Sequence, residues 1–434
     1  METTVLAILL FAALLGILSL GVWIAFALLA VAIIAVTLFA PVAAGQIMAL
    51  TIWGSSGSWS LVAMPMFLWM GEILFRTRLS EDMFRGLAPL VTRIPGRLMH
   101  INVLGCGIMA AVVGSSSVTC ATIGRISLPE LRKRGYDEGM AIGTLAGSGT
   151  MGLLIPPSIM MIVYGVVAQV SIARMFVAGV LPGLMMIGLF MCYVAGWSLL
   201  FPDRTPRDSI IMTLRERLYA ARRLFPVLVL IVGVMGSIYA GVATPTEAAV
   251  IGVVGALLIS FLSRTLTWET FKKSVIGATC TSCMIMFILT AAAFLSVAVG
   301  YAGIPQALAQ WVSSLNLSIY TLILVLTIVY IILGSFLDGA SMIVLTISVV
   351  QPMVVAAGID LVWFGIYLII VIEMAQITPP VGFNLFVLQA LTGRDMMSVA
   401  TSAMPFFLLM LVAVVLLVAF PDIALYLPQT MYAH

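Results

Sequence analysis

Charge is what this chain has least of. Lys and Arg number 20 and Asp and Glu 17 among 434 residues, 9% in all, against ~25% in an ordinary soluble domain. So few charges cannot cover a water-facing surface of this size. That excludes a cytosolic enzyme, a secreted scaffold, a disordered chain and a nucleic-acid binder. Histidine occurs twice, at His100 and His434. The five cysteines, Cys106, Cys120, Cys192, Cys280 and Cys283, all sit in apolar runs. Cys280 and Cys283 form a lone CxxC without a second pair or a nearby histidine, so a zinc site lacks its ligands. Gly105–Ala110 spells GxGxxA, but no strand or βαβ unit surrounds it. There is no Walker A, HExxH or GxSxG sequence, and ATP hydrolysis, metalloproteolysis and serine-hydrolase chemistry lack their usual parts. What the chain has instead is apolar residues, 63% of the total, with a mean hydropathy of +1.22. The runs are long and unbroken, unlike the short alternating strands of a porin-type barrel.

The sequence therefore predicts an all-α integral membrane protein. About 20 apolar residues cross a bilayer, which predicts about ten crossings: 3–20, 22–40, 58–76, 137–170, 175–200, 224–241, 245–263, 274–300, 361–391 and 397–420. The first run has no Lys or Arg before it and continues beyond Gly21, so it reads as a retained helix and not a signal peptide. Two crossings, 137–170 and 361–391, are too long for a straight helix, and each carries a Pro-Pro pair near its middle. Two stretches, 98–131 and 318–357, are interrupted by Gly and Ser and read as re-entrant hairpins.

Basic residues orient this topology. With the N-terminus outside, one face collects Arg76, Arg78, Arg85, Arg93, Arg97, Arg132, Lys133, Arg134, Arg204, Arg207, Arg215, Arg217, Arg222, Arg223, Arg264, Lys272, Lys273 and Arg394. Only Arg125 and Arg174 fall elsewhere. Both termini are then periplasmic, and residues 78–100 read as an amphipathic helix on the cytoplasmic surface.

The chain also resembles itself. Gly114-Ser115-Ser116-Ser117 precedes Pro156-Pro157, 42 residues from Gly114 to Pro156; Gly334 with Leu337-Asp338-Gly339 precedes Pro379-Pro380, 45 residues from Gly334 to Pro379. Pro157 to Pro182 and Pro380 to Pro405 are both 25 residues apart. Each half holds five full crossings, an odd number, so the second copy is inserted upside down. Inverted repeats with broken helices are transporter architecture. A helix broken at mid-membrane exposes free N–H groups at one end and free C=O groups at the other, suited to anions and cations respectively. A Pro-Pro pair can also be only a kink, but two pairs at matching places argue against that.

These motifs carry a resemblance. Gly114-Ser115-Ser116-Ser117, Gly135-Tyr136, Ile155-Pro156-Pro157-Ser158 with Tyr164-Gly165, Ala243-Thr244-Pro245-Thr246-Glu247-Ala248-Ala249, Leu333-Gly334 with Leu337-Asp338-Gly339, Gly358-Ile359-Asp360 and Thr378-Pro379-Pro380-Val381-Gly382 resemble, in order, the large membrane subunit of tripartite ATP-independent periplasmic (TRAP) transporters. The resemblance covers essentially the whole chain. It implies a Na⁺-driven importer of organic acids in a bacterial inner membrane. Two partners are implied, a small four-helix membrane subunit and a soluble periplasmic substrate-binding protein. The implied fold is an elevator: scaffold helices and a surface helix in 1–97, a mainly transport-domain unit in 98–200, a basic loop and scaffold helices in 201–300, and the second transport unit in 301–434. At Arg125 the chain departs from the family, which more often carries a small residue there. Arg125 either contacts a substrate carboxylate, snorkels to headgroups, or pairs with Glu130 or Asp137.

Na⁺ takes oxygen ligands, which backbone carbonyls and hydroxyls supply without a full charge. The first Na⁺ site is expected between Ser115, Ser116 and Ser117 and the break at Gly147, Ser148 and Thr150. The second is expected between Gly334 and Asp338 and the break at Thr378 and Pro379. The serines have an alternative use in capping local backbone. Substrate is expected between the hairpin tips, near Pro156, Pro157 and Pro380, with Tyr164 and Asn384 as polar contacts. Intramembrane carboxylates are costly and tend to be functional. Glu247 reads as a helix cap, and Glu373 as a group that either orients the second site or repels a wrong substrate. A self-sufficient Na⁺/dicarboxylate symporter is the nearest alternative. An intramembrane enzyme lacks a catalytic set at one depth, and a mere anchor has no use for duplicated broken helices.

Overall fold

The computed structural model describes residues 3–39, 43–77, 79–206, 214–305, 307, 310, 318–380 and 382–431. Arg78, Arg207, Val381 and His434 lie outside them. Among the described residues all regular structure is helical. Six helices are long and apolar enough to cross a membrane alone: Ile172–Leu200, Arg215–Tyr239, Pro245–Leu262, Trp268–Tyr301, Gly339–Ala356 and Met396–Ala419. A seventh is the pair Ala44–Ser56 and Trp59–Phe75, bent by 59°. This is a coarser count than the ten crossings read from sequence. The helices at 24–39, 361–376 and 383–392 are each too short to pass that test alone. Ala44–Ser56 was not expected at all. Its Gly54-Ser55-Ser56-Gly57-Ser58 end looks like a loop, yet the apolar residues before it carry a helix up to the bend.

The order of elements repeats in the two halves. The first hairpin runs Met99–Val113 and Ser116–Lys133; the second runs Ile319–Gly334 and Gly339–Ala356. Their arms are antiparallel. A β-carbon on Gly105 would lie 3.4 Å from Ile123, and Tyr330 and Thr346 share a 2.8 Å hydroxyl contact across the second pair. The first broken helix is Glu138–Thr150 and Ile159–Val167; the second is Leu361–Gln376 and Phe383–Thr392. A long helix follows each, Ile172–Leu200 and Met396–Ala419, with Pro182 and Pro405 inside them.

The broken helices form the centre. Every residue from Met140 to Thr150 and from Val362 to Gln376 is buried. By contrast Phe225–Tyr239 and Pro245–Leu262 expose Phe225, Val229, Val232, Val254, Leu258 and Phe261, an apolar exterior suited to lipid. Trp268–Tyr301 packs on Ile24–Phe39 and on Ala63–Phe75, where Trp69 donates to Ser274 at 3.2 Å. Close packing is bought with glycine: Gly143 and Gly147 face Ser402 and Phe406, and Gly179 faces Leu154 and Met161. Gly183 faces Ile155, so the GxxxG spacings Gly143–Gly147 and Gly179–Gly183 both serve contacts within the chain.

The basic segments converge. Arg223 meets Asp82 (3.5 Å), Arg97 donates to the Pro206 carbonyl (3.1 Å), Arg204 meets Asp137 (3.6 Å), and Arg132 and Arg394 both pair with Glu138 (2.5 and 2.7 Å). Loops far apart in sequence therefore share one face. The helix Leu79–Val91 lies there, with Met83, Leu87 and Val91 buried at four-residue spacing.

The Gly143 contact is testable. A β-carbon there would sit 2.2 Å from the Ser402 carbonyl oxygen. Gly143→Ala should cost about 1–3 kcal/mol by overpacking, read as a lower thermal-unfolding midpoint in detergent. An unchanged midpoint would refute the close approach.

Candidate functional site

Each hairpin turns sharply because its tip is built for it. In the first, Gly114 adopts φ 64°, a left-handed conformation that favours glycine. Ser115 is extended and opens the outgoing arm without a side-chain capping bond. In the second, Asp338 takes the N-cap position. Its carboxylate accepts from the backbone N–H groups of Ala340 (3.1 Å) and Ser341 (3.2 Å) and from the Ser341 hydroxyl. The two tips are thus unequal: one ends in a serine that leaves its helix N-terminus uncapped, the other in a half-buried carboxylate.

The breaks are closed by hydroxyls. Ser158 donates to the Leu153 carbonyl across the first, and Thr378 to the Met374 carbonyl at 2.7 Å beside the second. Both Pro156-Pro157 and Pro379-Pro380 are cis. Each tip touches a break. β-carbons on Gly114 and Gly152 would lie 3.1 Å from the Pro157 carbonyl oxygen and 2.7 Å from the Ser115 carbonyl. On the second side, Gly334 abuts Ala375 and Gly339 abuts Ile372, at 2.5 and 2.8 Å by the same measure. Asn384 joins the repeats. It belongs to the second broken helix, is fully buried, and accepts from Ser116 at the first tip (3.3 Å). Its amide nitrogen has no partner and lies against Gly149.

Between the tips lies a cavity of about 300 Å³. Gly114 to Ser117 line one side and Asp338 to Ala340 the other. Leu153, Met160, Gln376 and Phe383 come from the breaks. Leu68, Glu72, Phe75, Thr281 and Met284 form the remaining wall. Its charged lining residues are Glu72 and Asp338. Glu72 receives two bonds from Arg76 (3.0 and 2.8 Å) and rests on Gly277. Sequence reasoning missed Glu72. It lies near the end of a crossing, four residues before Arg76, and that spacing was the available signal.

Other expected residues lie elsewhere. Tyr164 is buried, packs on Gly365 and donates to the Leu361 carbonyl at 2.7 Å; it does not line the cavity. Arg125 is exposed and lines a separate crevice of about 430 Å³ with Arg132, Lys133 and Thr392. Nine residues of helix, ~14 Å, separate it from the tip. Gly147 faces Phe406, and Ser148 is buried with its hydroxyl unpartnered. Thr150 donates to the Gly147 carbonyl (2.8 Å) and lies beside Glu373. Pro156 and Pro157 are buried, Pro379 is half-buried and Pro380 exposed. Glu247 completes a capping box with Thr244.

Residues 11–423 match the family described as "Tripartite ATP-independent periplasmic transporter, DctM component". The chain belongs to this family. It is a TRAP large membrane subunit, a transporter component and not an enzyme. It is 33% identical over 385 residues to the C4-dicarboxylate TRAP transporter large permease protein DctM of Pseudomonas aeruginosa, covering 88% of this chain and 89% of that one. Against the DctM of Rhodobacter capsulatus the identity is 31%, covering 98% and 99%. The ectoine TRAP transporter large permease TeaC of Halomonas elongata is 30% identical, covering 85% and 86%. Among solved structures, the YdaH transporter of Alcanivorax borkumensis superposes with a TM-score of 0.62 at 14% identity, covering 85% of this chain and 87% of that one. That likeness is one of fold.

The Ser116–Asn384 bond ties the halves of this TRAP subunit together. Asn384→Leu should cost about 1–3 kcal/mol by stranding a buried hydroxyl. Ser116→Ala should cost less, and adding it to Asn384→Leu should recover part of the loss. Additive unfolding midpoints across that double-mutant cycle would exclude the contact.

Proposed function

We propose that this chain is the permease subunit of a Na⁺-coupled TRAP importer that passes an organic acid from a periplasmic binding protein to the cytoplasm. The cavity closed by both tips and both breaks carries the reading. The uncapped helix N-terminus at Ser115–Ser117 suits a carboxylate. Na⁺ sites lie at the tip serines Ser115, Ser116 and Ser117, and at Gly334, Asp338, Thr378 and Pro379; Gly147, Ser148 and Thr150, which do not line the cavity, drop out of the first. The relatives' names, covering C4-dicarboxylates and ectoine, support the substrate class. A small four-helix membrane subunit and the binding protein complete the assembly; one relative is named as a DctMQ permease.

The hairpins and broken helices travel as an elevator against scaffold helices that include Ala63–Phe75 and Trp268–Tyr301. The first tip rests on Gly71, where a β-carbon would lie 3.1 Å from Val113. Gly71 is near the helix end that carries Arg76, on the side of the shared basic face. By the positive-inside rule that face is cytoplasmic, so the cavity stands in its inward position and both termini are periplasmic. The opposite face offers the binding protein a crevice of about 730 Å³ between Ser58–Ser60, Gly165–Ala173 and Thr244–Glu247.

Uptake into proteoliposomes tests this reading. A C4-dicarboxylate should enter only with an inward Na⁺ gradient and the binding protein. Uptake indifferent to the binding protein would favour a self-sufficient symporter, and uptake indifferent to Na⁺ would sink the coupling. Asp338→Ala should raise the half-saturating Na⁺ concentration by ~10-fold or more. Unchanged Na⁺ dependence would move the second site elsewhere.

A further inference from the structure

One charged residue on the cavity wall belongs to neither tip. Among the described residues it is Glu72, on the helix Ala63–Phe75. Glu373, fully buried one turn before the second break, does not line the cavity. Glu72 is held from two sides. Its Oε2 accepts two bonds from the Arg76 guanidinium, one from Nε at 3.0 Å and one from a terminal nitrogen at 2.8 Å. Behind it lies Gly277 of Trp268–Tyr301, where a β-carbon would come within 2.8 Å of the same oxygen. The Arg76 side chain is 29% exposed and that of Glu72 23%, so neither is sealed in the packing. Glu72 lines the cavity and Arg76 stands behind it.

A pair one helical turn apart adds little to stability. Its position gives it more to do. The proposed cargo is an organic acid, and Arg76 lies one turn beyond Glu72 on the way to the basic face. A guanidinium there is a strong partner for a carboxylate, with two parallel N–H groups for two oxygens. Left free, it would take hold of the acid as it departs. With Glu72 in place the guanidinium is already occupied, and the pair presents no net charge to the cargo. In a space that water screens weakly, removing either member charges the wall, with opposite sign in the two cases.

We propose that Glu72 is a positioning residue for cargo release: by holding Arg76 it keeps that guanidinium from capturing the carboxylate at the cytoplasmic mouth of the cavity. The assignment rests on the organic-acid cargo and the inward position argued above, and it accounts for an acid on the wall of a cavity meant for acids. Glu72 adjoins Gly71, the point on which the first tip rests. The cargo therefore meets the pair when the tips stand inward and leaves it behind when they move outward. The effect is confined to the side of release.

Equilibrium binding of radioactive succinate to the full chain in lipid nanodiscs, in saturating Na⁺, tests the role. Glu72→Gln frees Arg76 and should tighten succinate binding by ~10-fold or more. Arg76→Gln leaves Glu72 uncompensated and should weaken it by ~10-fold or more. The double variant should return to within about threefold of the unmutated protein. A pair that only supports the helix would weaken binding in both single variants, so opposite shifts mark the role. Unchanged or weaker binding in folded Glu72→Gln overturns the assignment. Should that variant fail to fold, unchanged or tighter binding in Arg76→Gln overturns it alone. Unmutated protein without saturable succinate binding overturns the cargo reading together with the assignment, and the unmutated titration shows that by itself.

Discussion

The structure depends on one constraint: backbone N–H and C=O groups must be satisfied where water is scarce. Two hairpin tips and two breaks violate the continuous helix that normally meets it. Each violation is repaired locally. Ser158 closes the first break and Thr378 the second by donating to carbonyls. Asp338 consumes two N–H groups at the second tip. The groups that remain open, at the Ser115 turn, are the ones that face the cavity. Both tips line the cavity, but only the first leaves its helix N-terminus without a side-chain cap.

The same sites need close approach without interlocking. Gly71 against Val113, Gly152 against Ser115 and Gly334 against Ala375 leave no room for a β-carbon. Only one of these three, Gly71, faces from a scaffold helix to a tip. A glycine there presents bare backbone, which the proposed elevator movement would need where tip passes scaffold. Within the scaffold the contacts are of another kind. Trp69 bonds Ser274 and stacks edge-on with Phe271, and Glu72 is pinned between Arg76 and Gly277. Interlocked contacts of this kind are what the proposed elevator would need in its fixed part.

The tips and breaks were legible in the sequence because Gly, Ser and Pro-Pro interrupt apolar runs in both halves at like spacing. Their lateral placement was not. Tyr164 follows a break by seven residues, yet its ring turns toward Gly365, since depth along a helix says nothing of direction around it. Arg125 shares an arm with the tip serines but stands too far along it. The partner of Ser116 came from the other repeat, 268 residues away, and no local pattern announces such a pair. Helix Ala44–Ser56 was hidden by a glycine- and serine-rich end that bends the chain without stopping it.

The cavity's charge bears on how cargo and ion depend on one another. Its charged lining consists of two acids, Glu72 and Asp338, and Arg76 offsets only the first. An organic acid entering that space meets uncompensated negative charge at Asp338, in a region where screening by water is weak. In the proposed Na⁺-coupled mechanism, a cation bound at Asp338 would reverse the sign of that encounter. Ion and substrate then favour one another's binding by the same free energy, as linkage requires. A basic lining would bind the anion directly and release it reluctantly on the far side. An acidic lining neutralised by a cation makes release follow ion loss, which is the behaviour an importer driven by an ion gradient needs.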